Sequence, residues 1–395
     1  MRQAVIVSTA RTPITKAHRG EFNITPGPTL ASHAVRAAVQ RSGLDPERIE
    51  DLVLGCGYPE GITGRNIGRQ AVLRSELPLS IAGSVVSRFC ASGLQAVAAA
   101  AGRIVVDGAP AVIAGGLESI SGIRSRNVGG ADLTIDPWLA ERKPALYLEM
   151  IATADIVAQR YGISREAQDR FSVESQRRTA EAQQAGRYAD EIVPVSTVMA
   201  VTDKASGAVT QREATVDRDT CNRPGTTYES LAKLEPVKGA DQFVTAGNAS
   251  QLSDGAAALV MVEAQEAERL GLQALGAFRG LAAAGCEPDE MGIGPVFAIP
   301  KLLQRFGLKV EDIDLWELNE AFASQALYCQ HKLGIPAERL NVNGGAIAIG
   351  HPFGMTGARQ AGHLLIEGRR RKAKWGVVSM CVAGGMGLAG LFEIF

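Results

Sequence analysis

Residues Gly43–Leu54 read GLDPERIEDLVL, and residues Gly307–Leu318 read GLKVEDIDLWEL. Each stretch has a glycine suited to end a helix, then a charged loop, an isoleucine and a short apolar run suited to a strand. Gly43 and Gly307 stand 264 positions apart, and so do Ile49 and Ile313. A second echo pairs Ala111–Gly116 with Val377–Gly385, each read as a strand ended by a double glycine. The identities are few, and any α/β chain repeats helix–turn–strand units. The shared order of features is what favours an internal duplication.

Working outward, Ala4–Ser8, Leu52–Leu54 and Ala111–Ala114 read as strands, and Leu30–Ser42 and the alanine-rich Gly93–Val106 as helices. This alternation predicts an α/β class with largely parallel strands. The middle of the chain differs. Ile120–Thr245 is richer in charge, with Arg124, Arg126, Arg142 and Lys143. A polar helix is expected from Arg165 to about Gly186, capped by Ser164. Arg187–Leu234 shows little periodicity. The whole reads as a large insertion between two core halves, of the kind that carries binding groups on a rigid scaffold.

The 395 residues can bury a large core, and 46% apolar with 21% charged content fits a globular protein. A net charge of −1 leaves no global field to draw the chain to nucleic acid or an acidic membrane. The most apolar stretch, Leu94–Val106, is too short to span a bilayer and is interrupted by Gln95, Gly102 and Arg103. Cys56, Cys90, Cys221, Cys286, Cys329 and Cys381 are scattered without CxxC spacing, so neither a zinc ribbon nor a disulfide framework is expected. Free thiols and an N-terminus lacking the features of a secretory signal point to a cytoplasmic protein.

Four stretches carry chemistry. Cys90 lies in Ser87–Ala96, SRFCASGLQA, where a strand-like run meets an alanine-rich helix. Unpaired amides and the helix dipole there favour a thiolate and can hold an oxyanion. Gly93 permits close approach by a substrate or another chain. His351 lies in Asn343–Arg359, NGGAIAIGHPFGMTGAR, on a glycine-lined turn that suits exposure to a cavity; Pro352 restricts it to extended backbone. Cys381 lies in Met380–Gly387, MCVAGGMG, at the expected C-terminal edge of a strand, where ligands of open α/β sheets bind. Asn319, in Glu317–Phe322 (ELNEAF), is placed to orient a water or a carbonyl, or else to cap a helix starting at Glu320. The same positions also admit bland readings as buried structural cysteines and a satisfied histidine.

Together with the opening Val5–Ile14 (VIVSTARTPI) and Thr245–Ala257 (TAGNASQLSDGAA), these stretches resemble the thiolase family from end to end and in order. The resemblance implies a thiolase-like fold: two duplicated βαβ-rich halves in a layered α-β-α-β-α core with an inserted loop domain. It implies an N-terminal half of residues 1–119 plus 248–270, a loop domain of 120–247 that binds CoA and covers the site, and a C-terminal half of 271–395. The implied activity is reversible Claisen condensation and thiolysis of 3-oxoacyl-CoA by ping-pong chemistry, with coenzyme A and acyl-CoA as substrates and no tightly bound cofactor or metal.

By the same resemblance Cys90 is the nucleophile, His351 its base, and Cys381 the acid/base at the α-carbon of acetyl-CoA. Asn319 holds a catalytic water that forms one oxyanion hole with His351, while the N–H groups of Cys90 and Ala383 form the other. Arg223 and Ser230 attend the nucleotide end of CoA and Ser250 its pantetheine arm; Met150, Met291 and Phe322 line the acyl site. Glu149 and Ile151 stand where many thiolases have His or Pro and then Gly, which implies a reshaped pocket. Expected partners are further copies, as homodimer or homotetramer, and a hydratase/dehydrogenase subunit. Two competing functions are a carrier-protein-dependent condensing enzyme of related fold, which normally pairs its cysteine with two histidines, and a non-catalytic acyl-CoA-binding paralogue, which needs none of the four side chains.

Overall fold

The computed structural model describes residues 2–123 and 135–395, with the backbone of 127–128 and 131–132 between them. Arg124 and Arg126 lie outside the described residues. The long strands are β1 (Ala4–Arg11), β2 (Ile49–Cys56), β3 (Ala82–Val86), β4 (Ala111–Ser119), β5 (Ser253–Glu263), β6 (Gly276–Gly285), β7 (Leu315–Leu318), β8 (Trp375–Val382) and β9 (Met386–Ile394). The main helices are α1 (Gly27–Ser42), α2 (Ser92–Val105), α3 (Met150–Arg160), α4 (Arg165–Gln184), α5 (Gly294–Phe306), α6 (Ala323–Leu333) and α7 (Phe353–Arg371).

The long strands form one sheet in the order β7-β8-β9-β6-β1-β5-β4-β2-β3, with a short strand, Thr15–Lys16, paired to β5. Reading outward from its middle, β1-β5-β4-β2 on one side answers β6-β9-β8-β7 on the other. The duplication suggested by Gly43 and Gly307 is therefore a property of the topology. Both glycines end their helices in the left-handed region, at φ 66° and 64°. Within the sheet the halves join at β1 and β6, through the ladder pairs Val5–Ala277 and Ile6–Gly276.

Each half has a helix on its outer face. Leu30, Val35 and Val39 of α1 pack with Val5, Val7, Leu52 and Val260. Ile299, Leu302 and Leu303 of α5 pack with Trp316, Val377 and Leu391. Between the halves, Leu94, Val97 and Ile104 of α2 meet Met355, Ala358 and Leu364 of α7. The result is five layers, α-β-α-β-α. Successive residues of β1 go to opposite cores, Val5 and Val7 outward and Ile6 inward. That is why the strand reads as a continuous apolar run without alternation.

Four sequence expectations change. The sheet is mixed: parallel pairing is confined to β4-β2-β3 and β8-β7. Strand β9 returns from β8 through a tight turn, and β1 meets its counterpart β6 antiparallel. Strand β4 does not stop at Gly115-Gly116 but continues to Ser119. Its glycines serve packing, because a Cβ at Gly116 would fall on the Gly354 carbonyl of α7. Gly93 likewise faces this chain's own α7, with a Cβ there reaching 2.6 Å from the Gly354 oxygen and 2.7 Å from the Ala358 nitrogen. Finally, the aperiodic Arg187–Leu234 contains a two-stranded ribbon, Val195–Thr202 with Val209–Val216. Much of it is exposed on both faces, so no alternation marks it in the sequence.

In the middle region, Ser164 caps α4 as expected, its hydroxyl accepting the Ala167 N–H at 3.2 Å. Among the described residues no helix is long and apolar enough to cross a membrane, and no cluster of His, Cys, Asp and Glu is arranged to hold a metal ion.

Candidate active site

Cys90 sits on a strained elbow between β3 and α2. Phe89 before it has φ 43°, a left-handed conformation that costs a non-glycine residue about 1–3 kcal/mol. Ser92 fixes the elbow: its hydroxyl accepts the Arg88 N–H at 2.8 Å and donates to the Phe89 carbonyl at 2.7 Å. The N–H groups of Ala383 and of Cys90 itself are directed at the sulfur. Burial nevertheless pushes the thiol up to about 12, outweighing those amides, and the Glu118 carboxylate adds to the rise. The thiolate expected from the helix dipole is thus not the resting form. An amide pair suits an oxyanion at a bound carbonyl as well as it suits a thiolate.

His351 lies at the start of α7, the counterpart of α2, so two helix N-termini converge on one place. The ring is buried, only 2% exposed, rather than opening on a cavity as its glycine-lined turn suggested. Its Nδ1 is 2.7 Å from Thr356 Oγ1, and that hydroxyl donates to the Pro352 carbonyl at 2.9 Å. With its hydrogen so used, Thr356 must accept from Nδ1–H, which assigns the tautomer and makes Nε2 the unprotonated nitrogen, the one that can take a proton. Burial, with a smaller contribution from Arg359, lowers His351 to about 3, so it is neutral near pH 7. Asn319 Nδ2 lies 3.2 Å from Nε2. Asn319 Oδ1 is buried without a protein partner, an acceptor free for a bound molecule. Asn319 does not cap a helix at Glu320: α6 begins at Ala323, after Phe322.

Cys381 is fully buried near the end of β8. Burial, then the neighbouring Cys90, raises its thiol well above the ordinary range. It packs in one small apolar cluster with Met291, Phe322, Ala154 and Val244, against Met150 and Ile151. Residues from four separate stretches, Met150, Met291, Phe322 and Cys381, are therefore brought together. Glu149 turns away and pairs with Lys238 at 2.6 Å, so of the two unusual residues only Ile151 joins this apolar cluster.

Arg223 and Ser230 line a groove of about 430 Å³ together with Gln176, Thr226, Leu231 and Gln251. Segment 248–252 runs from this groove to the site. The Ser250 N–H donates to Ala321 at 2.9 Å, and the His351 N–H donates to Gln251 at 3.0 Å. The Arg223 side chain is exposed, whereas the Ser230 hydroxyl already donates to the Thr227 carbonyl at 2.7 Å in a helix-capping box. Two residues of the site went unnoticed in the sequence. Thr356 stands one helical turn past Pro352, where a side chain overhangs the histidine. Glu118 is a lone carboxylate in the apolar run of β4.

A five-layered duplicated α/β core whose two central helices bring a thiol and a neutral histidine together, with a second, buried thiol at the end of β8 beside them, defines an acyltransferase of the thiol-ester type. The sequence comparisons agree. Residues 4–265 match the family model of the thiolase N-terminal domain and residues 272–394 that of the thiolase C-terminal domain. The 3-ketoacyl-CoA thiolase of Bacillus subtilis (strain 168) is 43% identical over 395 residues, spanning 100% of both chains. The peroxisomal 3-ketoacyl-CoA thiolase B of Rattus norvegicus is 46% identical over 392 residues, 98% of this chain and 90% of that one. The crystal structure of human mitochondrial 3-ketoacyl-CoA thiolase superposes with a TM-score of 0.89 at 35% identity, covering 100% of this chain and 99% of that one. The same human enzyme in complex with CoA gives 0.88 at 34% identity, covering 100% and 98%. The chain belongs to the thiolase family, and it is a CoA-dependent acyltransferase.

Proposed function

We propose that the chain interconverts 3-oxoacyl-CoA plus CoA with acetyl-CoA plus a shortened acyl-CoA, through a thioester on Cys90. The observation that carries the reading is that α2 packs on α7 at Gly93 and Gly354, which brings the Cys90 elbow against the helix start bearing His351, a ring held by Thr356 at Nδ1 and by Asn319 at Nε2. In thiolysis the Cys90 sulfur attacks the C3 keto carbon as its proton passes to His351 Nε2. The two amides hold the tetrahedral oxyanion. Breaking C2–C3 releases acetyl-CoA as an enolate, whose oxygen receives the new Nε2–H and a water on Asn319. Cys381 delivers the proton to C2. The thiol of the incoming CoA then attacks the Cys90 thioester as its proton passes to the Cys381 thiolate, and the acyl–sulfur bond to Cys90 breaks as His351 returns its proton to the leaving Cys90 sulfur. Its high resting value suits Cys381 to the donor role, because a buried thiol holds its proton until a stronger base appears.

Arg223 and the 248–252 segment support a CoA path from the groove to the site, with the nucleotide end outermost. The reading makes residues 120–247 the cover that carries this path. The Met150–Met291 wall suits an acyl pocket that adapts. Six free cysteines are consistent with action in the reducing cytoplasm, which cell fractionation would test. Assembly as a homodimer or homotetramer belongs to the same reading and is read by light scattering. Docking to a hydratase/dehydrogenase subunit is read by co-purification.

The test is CoA-dependent cleavage of 3-oxoacyl-CoA substrates from four to sixteen carbons, with Cys90→Ala as control. Cleavage by the parent and none by the control is expected. Cleavage that survives in Cys90→Ala would sink the proposal. Replacing Ile151 with Gly should shift the chain-length profile, since Ile151 and not Glu149 packs against the cluster around Cys381.

A further inference from the structure

Glu118 is a buried carboxylate that the reaction scheme leaves unused. Its Oε2 accepts the Gly57 N–H at 2.8 Å and the Gly354 N–H at 2.9 Å. Its Oε1 accepts the Tyr58 N–H at 3.3 Å and lies 3.6 Å from the Cys56 sulfur. These contacts reach both halves of the site. On one side, the Gly57 carbonyl accepts the Ser87 hydroxyl at 3.1 Å, and the Cys56 carbonyl lies 3.2 Å from the Ser92 hydroxyl. Ser87 and Ser92 flank Cys90. On the other side, Gly354 is in the first turn of α7, next to Phe353, whose ring stands edge-on to His351 at 5.0 Å. The Tyr58 ring closes the circuit, 5.9 Å from both Phe89 and Phe353.

We propose that Glu118 is a positioning residue for the reaction: it ties the elbow that carries Cys90 to the helix start that carries His351, and its negative charge opposes a resting thiolate. The inference rests on Cys90 being the nucleophile. The titratable groups facing Glu118 are Cys56 at the end of β2, Tyr58 in the following turn with Glu60 beyond it, and Cys90 on the elbow. Helix α7 offers only the Gly354 amide, and β5 presents Gly255 opposite. Burial raises Glu118 itself to about 7, against the pull of three backbone amides, so the carboxylate is held by the turns it orders. Above that pH a charge sits beside the nucleophile. Cys90 then ionises most readily when its proton has a place to go, on His351, with the substrate in position.

Two variants separate the clamp from the charge. In Glu118→Gln the amide oxygen can still accept Gly57 and Gly354 while the charge is gone; Glu118→Ala removes both. Each is followed by CoA-dependent thiolysis and by the pH profile of Cys90 alkylation with iodoacetamide. Glu118→Ala should lose about 100-fold in kcat, with KM for CoA within about twofold, as expected of a misaligned reacting pair. Glu118→Gln should keep kcat within about tenfold and shift the alkylation profile to lower pH. A folded Glu118→Ala with parental kcat, or a Glu118→Gln alkylation profile superimposed on the parent's, overturns the proposal. If Glu118→Ala does not fold, the Glu118→Gln profile decides alone. Absence of thiolysis in the parent would count against the thiolase reaction, while the alkylation arm would still report on Glu118.

Discussion

Replacing Thr356 with Val tests the tautomer argument at its base. Thr356 Oγ1 accepts from His351 Nδ1 at 2.7 Å, and its own hydrogen goes to the Pro352 carbonyl. Valine has nearly the same shape and removes the acceptor. The buried Nδ1–H is then unpartnered, which costs about 1–3 kcal/mol. The ring escapes that cost by moving its proton to Nε2, where it can no longer accept one from Cys90. A penalty of this size on the competent tautomer corresponds to about a 5- to 150-fold loss in kcat. KM for CoA should stay near the parental value, because the groove at Arg223 is untouched. Steady-state thiolysis measures both constants. Thr356→Ser restores the hydroxyl and should recover most of the activity. Parental kcat in Thr356→Val, or no rescue by Ser, would refute the assignment of Nε2 as the base.

Three further outcomes are expected. His351 is lowered by burial from 6.5 to about 3, so the unfolded chain binds more protons in that interval and stability should fall as pH drops through it. Urea midpoints taken across the window should fall less steeply in His351→Gln. Arg223→Ala should raise KM for CoA about fivefold with kcat little changed, the value of one partly solvated charge contact. Gly116→Ala should lower the thermal midpoint, because its Cβ would fall on backbone of α7, and overpacking of this kind costs about 1–3 kcal/mol.

The layered fold was legible because its period and punctuation are local. Gly43, Gly307 and the isoleucines that follow them mark the same helix end and strand start in each half, and the topology repeats them. Cys90 and His351 stood out for a similar reason, each lying by a helix start among small residues and glycines, Cys381 stood out before a glycine turn between two strands, and Asn319 stood out just past a strand end. What the sequence hid depends on distant partners. Gly93 and Gly116 looked like features of turns or ligand sites, yet their role is set by α7, more than two hundred residues on. Glu118 fell past the double glycine at which the strand was expected to end, and nothing nearby reveals that its partners are the amides of Gly57 and Gly354. The ionisation of Cys90 also ran against the local argument. A helix N-terminus favours the thiolate, and only the packed surroundings show that burial outweighs it.

The two halves meet at β1 and β6 of the sheet and along α2 and α7, and each supplies one of the helix starts that face the site. As separate molecules, two such halves would pair only to the extent that their concentration allowed. The short connection from Leu270 to β6 changes that. It turns association into an intramolecular step, with an effective concentration on the order of millimolar for a short link. Alignment of thiol and histidine is thereby made independent of how much protein the cell contains.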